Sequence, residues 1–178
     1  MEVTLMPSAT TDRILKALIA FLAVALVYVA STTLEQRIVG VGDTAPRFSI
    51  TADNGKAISR SEFGGRLLVL NFWATWCPPC IQELPSLNEF QDRMRAKGVV
   101  VLGVSLDKNE QTYKQFLDRA KVSFVTARDP EANVSSSYGT FKYPETYVIS
   151  PDGKVLEKFI GPENWMNPEL LARIEKHL

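Results

Sequence analysis

The sequence predicts an α/β domain: a mixed central sheet with helices on both faces, an N-terminal β-hairpin, and one N-terminal transmembrane helix ahead of it. Three observations carry this. An apolar run at 67–72 is followed by a helix-like pattern and a second apolar run at 99–105, the order of a parallel strand–helix–strand unit. Two later runs flank Pro151-Asp152-Gly153, a turn of the kind that closes hairpins. Residues 17–34 hold no charge and, at 1.5 Å per residue, span about 27 Å.

The chain divides in order into a cytoplasmic tip at 1–13, a signal anchor at 14–34, a linker at 35–44 and a folded domain at 45–178. Lys16 and Glu35 flank the apolar run and can reach the interfaces. Arg13 and Lys16 precede it, which keeps the N-terminus in the cytoplasm and the domain outside. A cleavable signal peptide is the alternative, with small residues at Val29-Ala30-Ser31; the length of the run favours an anchor. No Cys precedes Cys77, so this segment offers no thiol for a lipid. In an oxidising compartment a paired Cys persists oxidised. Lys and Arg together number 20, as do Asp and Glu, so no basic excess attracts nucleic acid.

Within the domain, Phe48 and Ile50 alternate with polar neighbours, Asp53-Asn54-Gly55 turns, and 56–59 returns as a second strand. A turn at 61–65 feeds the run at 67–72, whose apolar character on both faces belongs at the centre of a covered sheet. Leu84, Leu87, Phe90 and Met94 recur at helical spacing from Pro78 to about Lys97, where Gly98 stops the helix. Pro78 and Pro79 suit its first turn, and Pro85 is expected to kink it. After the strand at 99–105 come a helix at 109–120, a short strand at 124–126 and a helical turn at 133–138. The hairpin 146–149 with 155–160 follows, and a final helix starts at Asn167 with Pro168 in its first position.

The only two cysteines, Cys77 and Cys80, sit where the strand at 67–72 gives way to the helix. Unpaired N–H groups at a helix start carry partial positive charge and stabilise a thiolate, the form that attacks disulfides. A structural disulfide is a poor alternative, because so short a loop yields only about 2 kcal/mol. Structural zinc needs four ligands, and the only His is His177, near the C-terminus. Pro78 and Pro79 lack N–H groups, so the N–H of Cys80 remains as the donor to the Cys77 sulfur.

Apolar strand, Trp76-Cys77-x-x-Cys80, helix with an internal Pro, and a Pro before a late strand together resemble the thioredoxin fold. The early hairpin, the segment 104–120, and the motifs Gly42-Asp43-x-Ala45-Pro46-x-Phe48 and Asn71-Phe72-Trp73-Ala74-x-Trp76-Cys77 are similar to the TlpA-like branch. That branch comprises membrane-tethered thiol–disulfide oxidoreductases of the bacterial envelope, including those of cytochrome c maturation. The resemblance covers about 42–178. It implies Cys77 as nucleophile, Cys80 as resolving thiol, a disulfide between them, and no further cofactor. It implies a cis-proline at Tyr143-Pro144, with the Tyr143 backbone pairing to a bound peptide and Trp76 on the surface around the thiols. Read from the residues alone, Pro144 is an ordinary trans proline before an edge strand.

Asn71 departs from classical thioredoxin, which has a buried Asp six residues before its first Cys. A proton shuttle must come from elsewhere: Glu145 is the first candidate, Glu83, one helical turn after Cys80, the second, and Asp107 or Glu110 the third. Each reads equally as a solvated surface acid. Trp73 reads as core.

The function expected is reduction of protein disulfides in the envelope, at the inner membrane and on its outer side. The expected partners are disulfide-containing envelope proteins, such as an apocytochrome c, and a membrane electron donor. Three alternatives stand beside it. A disulfide-donating oxidant is the same chemistry reversed. A peroxiredoxin-like peroxidase needs a Pro before its reactive Cys that is missing here. A copper chaperone needs a His ligand that His177 is badly placed to supply.

Overall fold

The structure, a computed structural model, describes residues 9–34, 38–59 and 65–178. The expected turn at 61–64, the linker residues 35–37 and the first eight residues lie outside the described residues. The chain forms two compact units, Met1–Arg37 and Ile38–Leu178.

The first unit is helix α1, Ala9–Leu34. It begins inside the stretch read as the cytoplasmic tip, and its charged first turns pair Lys16 with Asp12 at 2.6 Å, four residues apart. The segment Thr10–Ala30, with mean hydropathy 2.2, is long and apolar enough to cross a membrane.

The second unit contains β1 (Ser49–Thr51), β2 (Ala57–Ser59), β3 (Leu67–Trp73), α2 (Pro78–Met94), β4 (Val99–Ser105) and α3 (Glu110–Ala120). It continues with β5 (Val125–Arg128), α4 (Asn133–Ser137), β6 (Glu145–Ile149), β7 (Val155–Ile160) and α5 (Pro168–Glu175). The five-stranded sheet runs β5-β4-β3-β6-β7. β3 is parallel to β4 and antiparallel to β6, so the sheet is mixed as expected. β1 and β2 form the separate hairpin. Ile38 to Thr44, expected as linker, pack into this unit: Gly42 N–H donates to the Val155 carbonyl at 2.8 Å, and Val155 N–H to the Asp43 carbonyl at 2.9 Å.

Two buried clusters fill the two sides of the sheet, and the period of two assigns each strand residue to one of them. Leu67, Val69 and Trp73 face α2, α3 and α5, meeting Leu84, Leu87 and Phe90. Leu68, Leu70 and Phe72 face the hairpin and α4, meeting Phe48, Ile58 and Tyr138. Helices therefore lie on both faces, but unequally: among the described residues the second face has α4, of five residues, as its helix, and the hairpin together with Val39, Ala45 and Phe48 from the segment before it supplies further cover. Every residue of β3 and β4 is buried, which is why both read as continuous apolar runs.

α2 ends in a single 3₁₀ turn, Arg95–Lys97, capped by Gly98 at φ 85°, a left-handed value that favours glycine. On β4, Gly103 gives room to two aromatic rings. A Cβ there would lie 2.7 Å from Phe124 Cε2 and 3.0 Å from Trp73 Nε1. Trp73 is fully buried at the last position of β3, with Tyr113 and Phe116 of α3 against it at 6.0 and 5.7 Å. Gly103→Ala is thus an overpacking change beside the strand end that leads to the thiols. It should cost about 1–3 kcal/mol in urea unfolding; an unchanged midpoint would mean that Phe124 moves aside freely.

Candidate active site

β3 ends at Trp73, and after three intervening residues the chain enters α2 through Cys77. The short connection is held by Asp107, which lies just beyond β4. Its carboxylate accepts from Thr75 N–H at 2.8 Å, from the Thr75 hydroxyl at 2.6 Å and from the Ser105 hydroxyl at 2.6 Å. Both oxygens are thereby engaged. Leu106 N–H donates to the Trp73 carbonyl at 3.0 Å and continues the β3–β4 register past the strand ends. The structure gives Asp107 the job of fixing the backbone ahead of the first thiol. Glu110 lies further off in ion pairs with Lys114 and Arg128, whose contacts hold its carboxyl below the usual range.

Cys77 is the N-cap of α2, with φ −103° and ψ 98°. Its Sγ accepts from Cys80 N–H at 3.3 Å. The positions between them are prolines, so this is the donor the first turn of the helix supplies. Cys77 and Cys80 form a disulfide, with 5.3 Å between their Cα atoms. The pair sits at the rim of the core: Cys77 is 5% exposed and Cys80 0%.

Trp76, 61% exposed, stands edge-on to Tyr143, ring centroids 6.3 Å apart. The Tyr143–Pro144 peptide is cis, and Pro144 is buried. The structure therefore brings Trp76, Cys77, Tyr143 and Pro144 to one end of the sheet. Gly161 N–H donates to the Pro144 carbonyl at 2.8 Å and ties this loop to the end of β7.

The two leading acids part company. Glu83 is 3% exposed on the face of α2 that meets the sheet. Asn71 of β3 donates its amide to Glu83 Oε1 at 2.8 Å and to the Thr146 hydroxyl at 2.9 Å. Glu163 N–H and the Trp165 indole donate to Glu83 Oε2 at 3.1 and 3.4 Å. Burial pushes the Glu83 carboxyl up to about 7, while the donors from Glu163, Asn71 and Trp165 pull it back. A group with such a value exchanges protons near neutral pH. Glu145, preferred from the sequence, points to the other side of the sheet. It pairs with Phe72 in the β3–β6 register, and its carboxylate is fixed by Lys158 at 2.8 Å and by the Tyr147 hydroxyl at 2.5 Å. Of the two acids, Glu83 is the one that shares with Cys80 both a helix and its buried side.

Asn71 and Glu83 form one buried polar pair between β3 and α2. The strand contributes the amide and the helix the carboxylate. Trp165, Glu163 and Thr146 escaped the sequence reading. The available signal was a Trp, whose indole N–H needs a partner when buried, but nothing local points it at a residue so far back in the chain. His177 lies 3.3 Å from Glu157.

The sequence matches the AhpC/TSA family over residues 41–158. It is 35% identical over 123 residues to the thiol-disulfide oxidoreductase ResA of Bacillus cereus, covering 69% of this chain and 71% of that protein. The ResA of Geobacillus kaustophilus is 32% identical over 164 residues, covering 91% of each. Among solved structures, a putative thiol:disulfide interchange protein DsbE from Chlorobium tepidum superposes with TM-score 0.73 at 32% identity, over 78% of this chain and 98% of that one. StoA from Bacillus subtilis gives TM-score 0.59 at 27% identity, over 67% and 90%.

The raised Glu83 carboxyl has a thermodynamic signature. Its folded value, about 7, exceeds the ordinary 4.5, so the folded state binds its proton more tightly than the unfolded chain. Stability from this group falls as pH rises from about 4.5 through about 7, by a few kcal/mol in all. Glu83→Gln should flatten that part of a urea-midpoint profile. Parallel profiles for the two chains would show that Glu83 ionises normally.

Proposed function

This chain belongs to the AhpC/TSA family and is a thiol–disulfide oxidoreductase of the ResA/DsbE type, and we propose that it works as a reductant of protein disulfides on the outer side of the bacterial cytoplasmic membrane. One observation carries the direction. The Cys77 sulfur receives one N–H from the first turn of α2, because Pro78 and Pro79 have none to give. A dithiol is a strong oxidant when its reduced form is well stabilised. Here the thiolate has less backbone support, which favours the disulfide and lowers the potential.

In the reaction, the Cys77 thiolate attacks one sulfur of a substrate disulfide. A Cys77–substrate bond forms, the substrate S–S bond breaks, and the leaving thiolate takes a proton. Cys80 then gives its proton to Glu83 and attacks Cys77 Sγ. The mixed disulfide breaks, the second substrate thiol leaves protonated, and Cys77–Cys80 holds the pair of electrons' worth of oxidation. Trp76, Tyr143 and Pro144 form the docking surface, with the Tyr143 backbone available to an extended substrate chain. A haem-binding cysteine pair of an apocytochrome c is the substrate class that the resemblance to the TlpA-like branch favours. The apolar helix Thr10–Ala30 fits a single-pass anchor, with a membrane dithiol donor restoring Cys77 and Cys80.

Equilibration with dithiothreitol buffers tests the direction. A potential near about −270 mV or lower supports the reductant; one near about −120 mV overturns it in favour of an oxidant. Pro79→Ala restores an N–H to the first turn. It should raise the potential by about 30 mV, the equivalent of one hydrogen bond to a charged sulfur. Cys80→Ala should accumulate a mixed disulfide through Cys77 in cells, and the trapped protein names the substrate. Rapid peroxide consumption by the purified chain would instead mark a peroxidase.

A further inference from the structure

We propose that Tyr147 and Lys158 are positioning residues for substrate docking, because they tie together the two ends of the loop 139–144 that carries Tyr143 and Pro144. This rests on the docking role given to that loop above. The loop leaves α4 after Tyr138 and enters β6 at Glu145. The Tyr147 hydroxyl stands between those ends. It donates to Glu145 Oε1 at 2.5 Å and lies 3.2 Å from the Tyr138 carbonyl, a second acceptor. The Thr140 hydroxyl approaches the same oxygen at 3.5 Å from within the loop.

Lys158, on the neighbouring strand β7, completes the clamp. Its ammonium lies 2.8 Å from Glu145 Oε1, 2.9 Å from the Val39 carbonyl, to which it donates, and 4.9 Å from the centre of the Tyr147 ring. Val39 N–H in turn donates to the Tyr138 carbonyl at 3.1 Å. One residue at the start of the folded unit is therefore held by both of its backbone groups, at one end to the loop's first foot and at the other to the cation on its second.

A purely structural reading explains this less well. A buried ion pair contributes little more than an apolar pair of the same shape, and often less, so its worth lies in fixed geometry. The loop has need of it. Its tip, Phe141, is 68% exposed, and its first amides, Gly139 and Thr140, bond only back into α4. Order at Tyr143 and Pro144 then draws on the planted feet together with the Gly161 N–H bond to the Pro144 carbonyl and the packing of Tyr143 against Trp76. Burial and the hydrogen bond to Glu145 push the Tyr147 phenol up, so it stays protonated and keeps donating.

The test uses the full chain in detergent, with insulin as the protein disulfide and dithiobis(nitrobenzoate) as a small one that needs no docking loop. Tyr147→Phe keeps the ring and strands no charge. We expect KM for insulin to rise about tenfold, the scale of one hydrogen bond to a charged group, with kcat held. The rate with the small disulfide stays near that of the parent, and hydrogen exchange at Gly139 and Thr140 quickens more than in α2. An unchanged insulin KM overturns the inference. So does a parallel loss with both disulfides, which would mean general damage. If the parent chain itself fails to turn over insulin while reducing the small disulfide, the docking role falls and this inference with it.

Discussion

The Glu83 carboxylate lies inside the core, and a buried acid is tolerated only where donors meet it. Here they come from three places: the amide of Asn71 in β3, the backbone of Glu163 and the indole of Trp165. Those bonds join the active-site helix to the central strand and to the segment before α5. Ser86 adds to the same junction, with its hydroxyl accepting from Trp165 N–H at 3.2 Å. The placement of α2, and so of both thiols, depends on this arrangement. The same burial that costs stability gives the carboxyl a proton affinity suited to neutral pH.

A different set of bonds fixes the entry to the helix. Asp107 takes both donors of Thr75, and Ser105 anchors Asp107 from the end of β4. The two strands β3 and β4 thus act in concert at their C-terminal ends, one presenting the thiols and the other bracing the turn before them. This is the usual position for a site in an α/β sheet, outside the carboxyl ends of the parallel strands.

Much of this was legible from the residues because it is local. Residues 67–72 read as a buried strand and 78–97 as a helix since periodicity and the flanking Pro and Gly are short-range signals. The CxxC pair placed itself at their junction. What stayed hidden was long-range. Glu145 looked attractive beside Pro144, yet alternation along β6 turns it to the hairpin side, where Lys158 holds it. Glu83 looked like one more helix-surface acid until the fold brought it Asn71 and Trp165. Residues 38–44 were expected within the linker at 35–44, whereas their backbone bonds to β7 give them a fixed place. Sequence spacing says which face of its own element a residue occupies, but not which distant element will lie against it.

The unequal burial of the two sulfurs has one more consequence. Cys80 is closed to solvent, and Cys77 shows only a sliver. An incoming thiolate can approach the disulfide only along the Cys77 side, and an outgoing attack starts from that same atom. Electrons therefore enter and leave through a single doorway, and the partner that brings them must depart before the partner that takes them can arrive. The protein is built to meet its disulfide and dithiol partners one at a time rather than to bridge them.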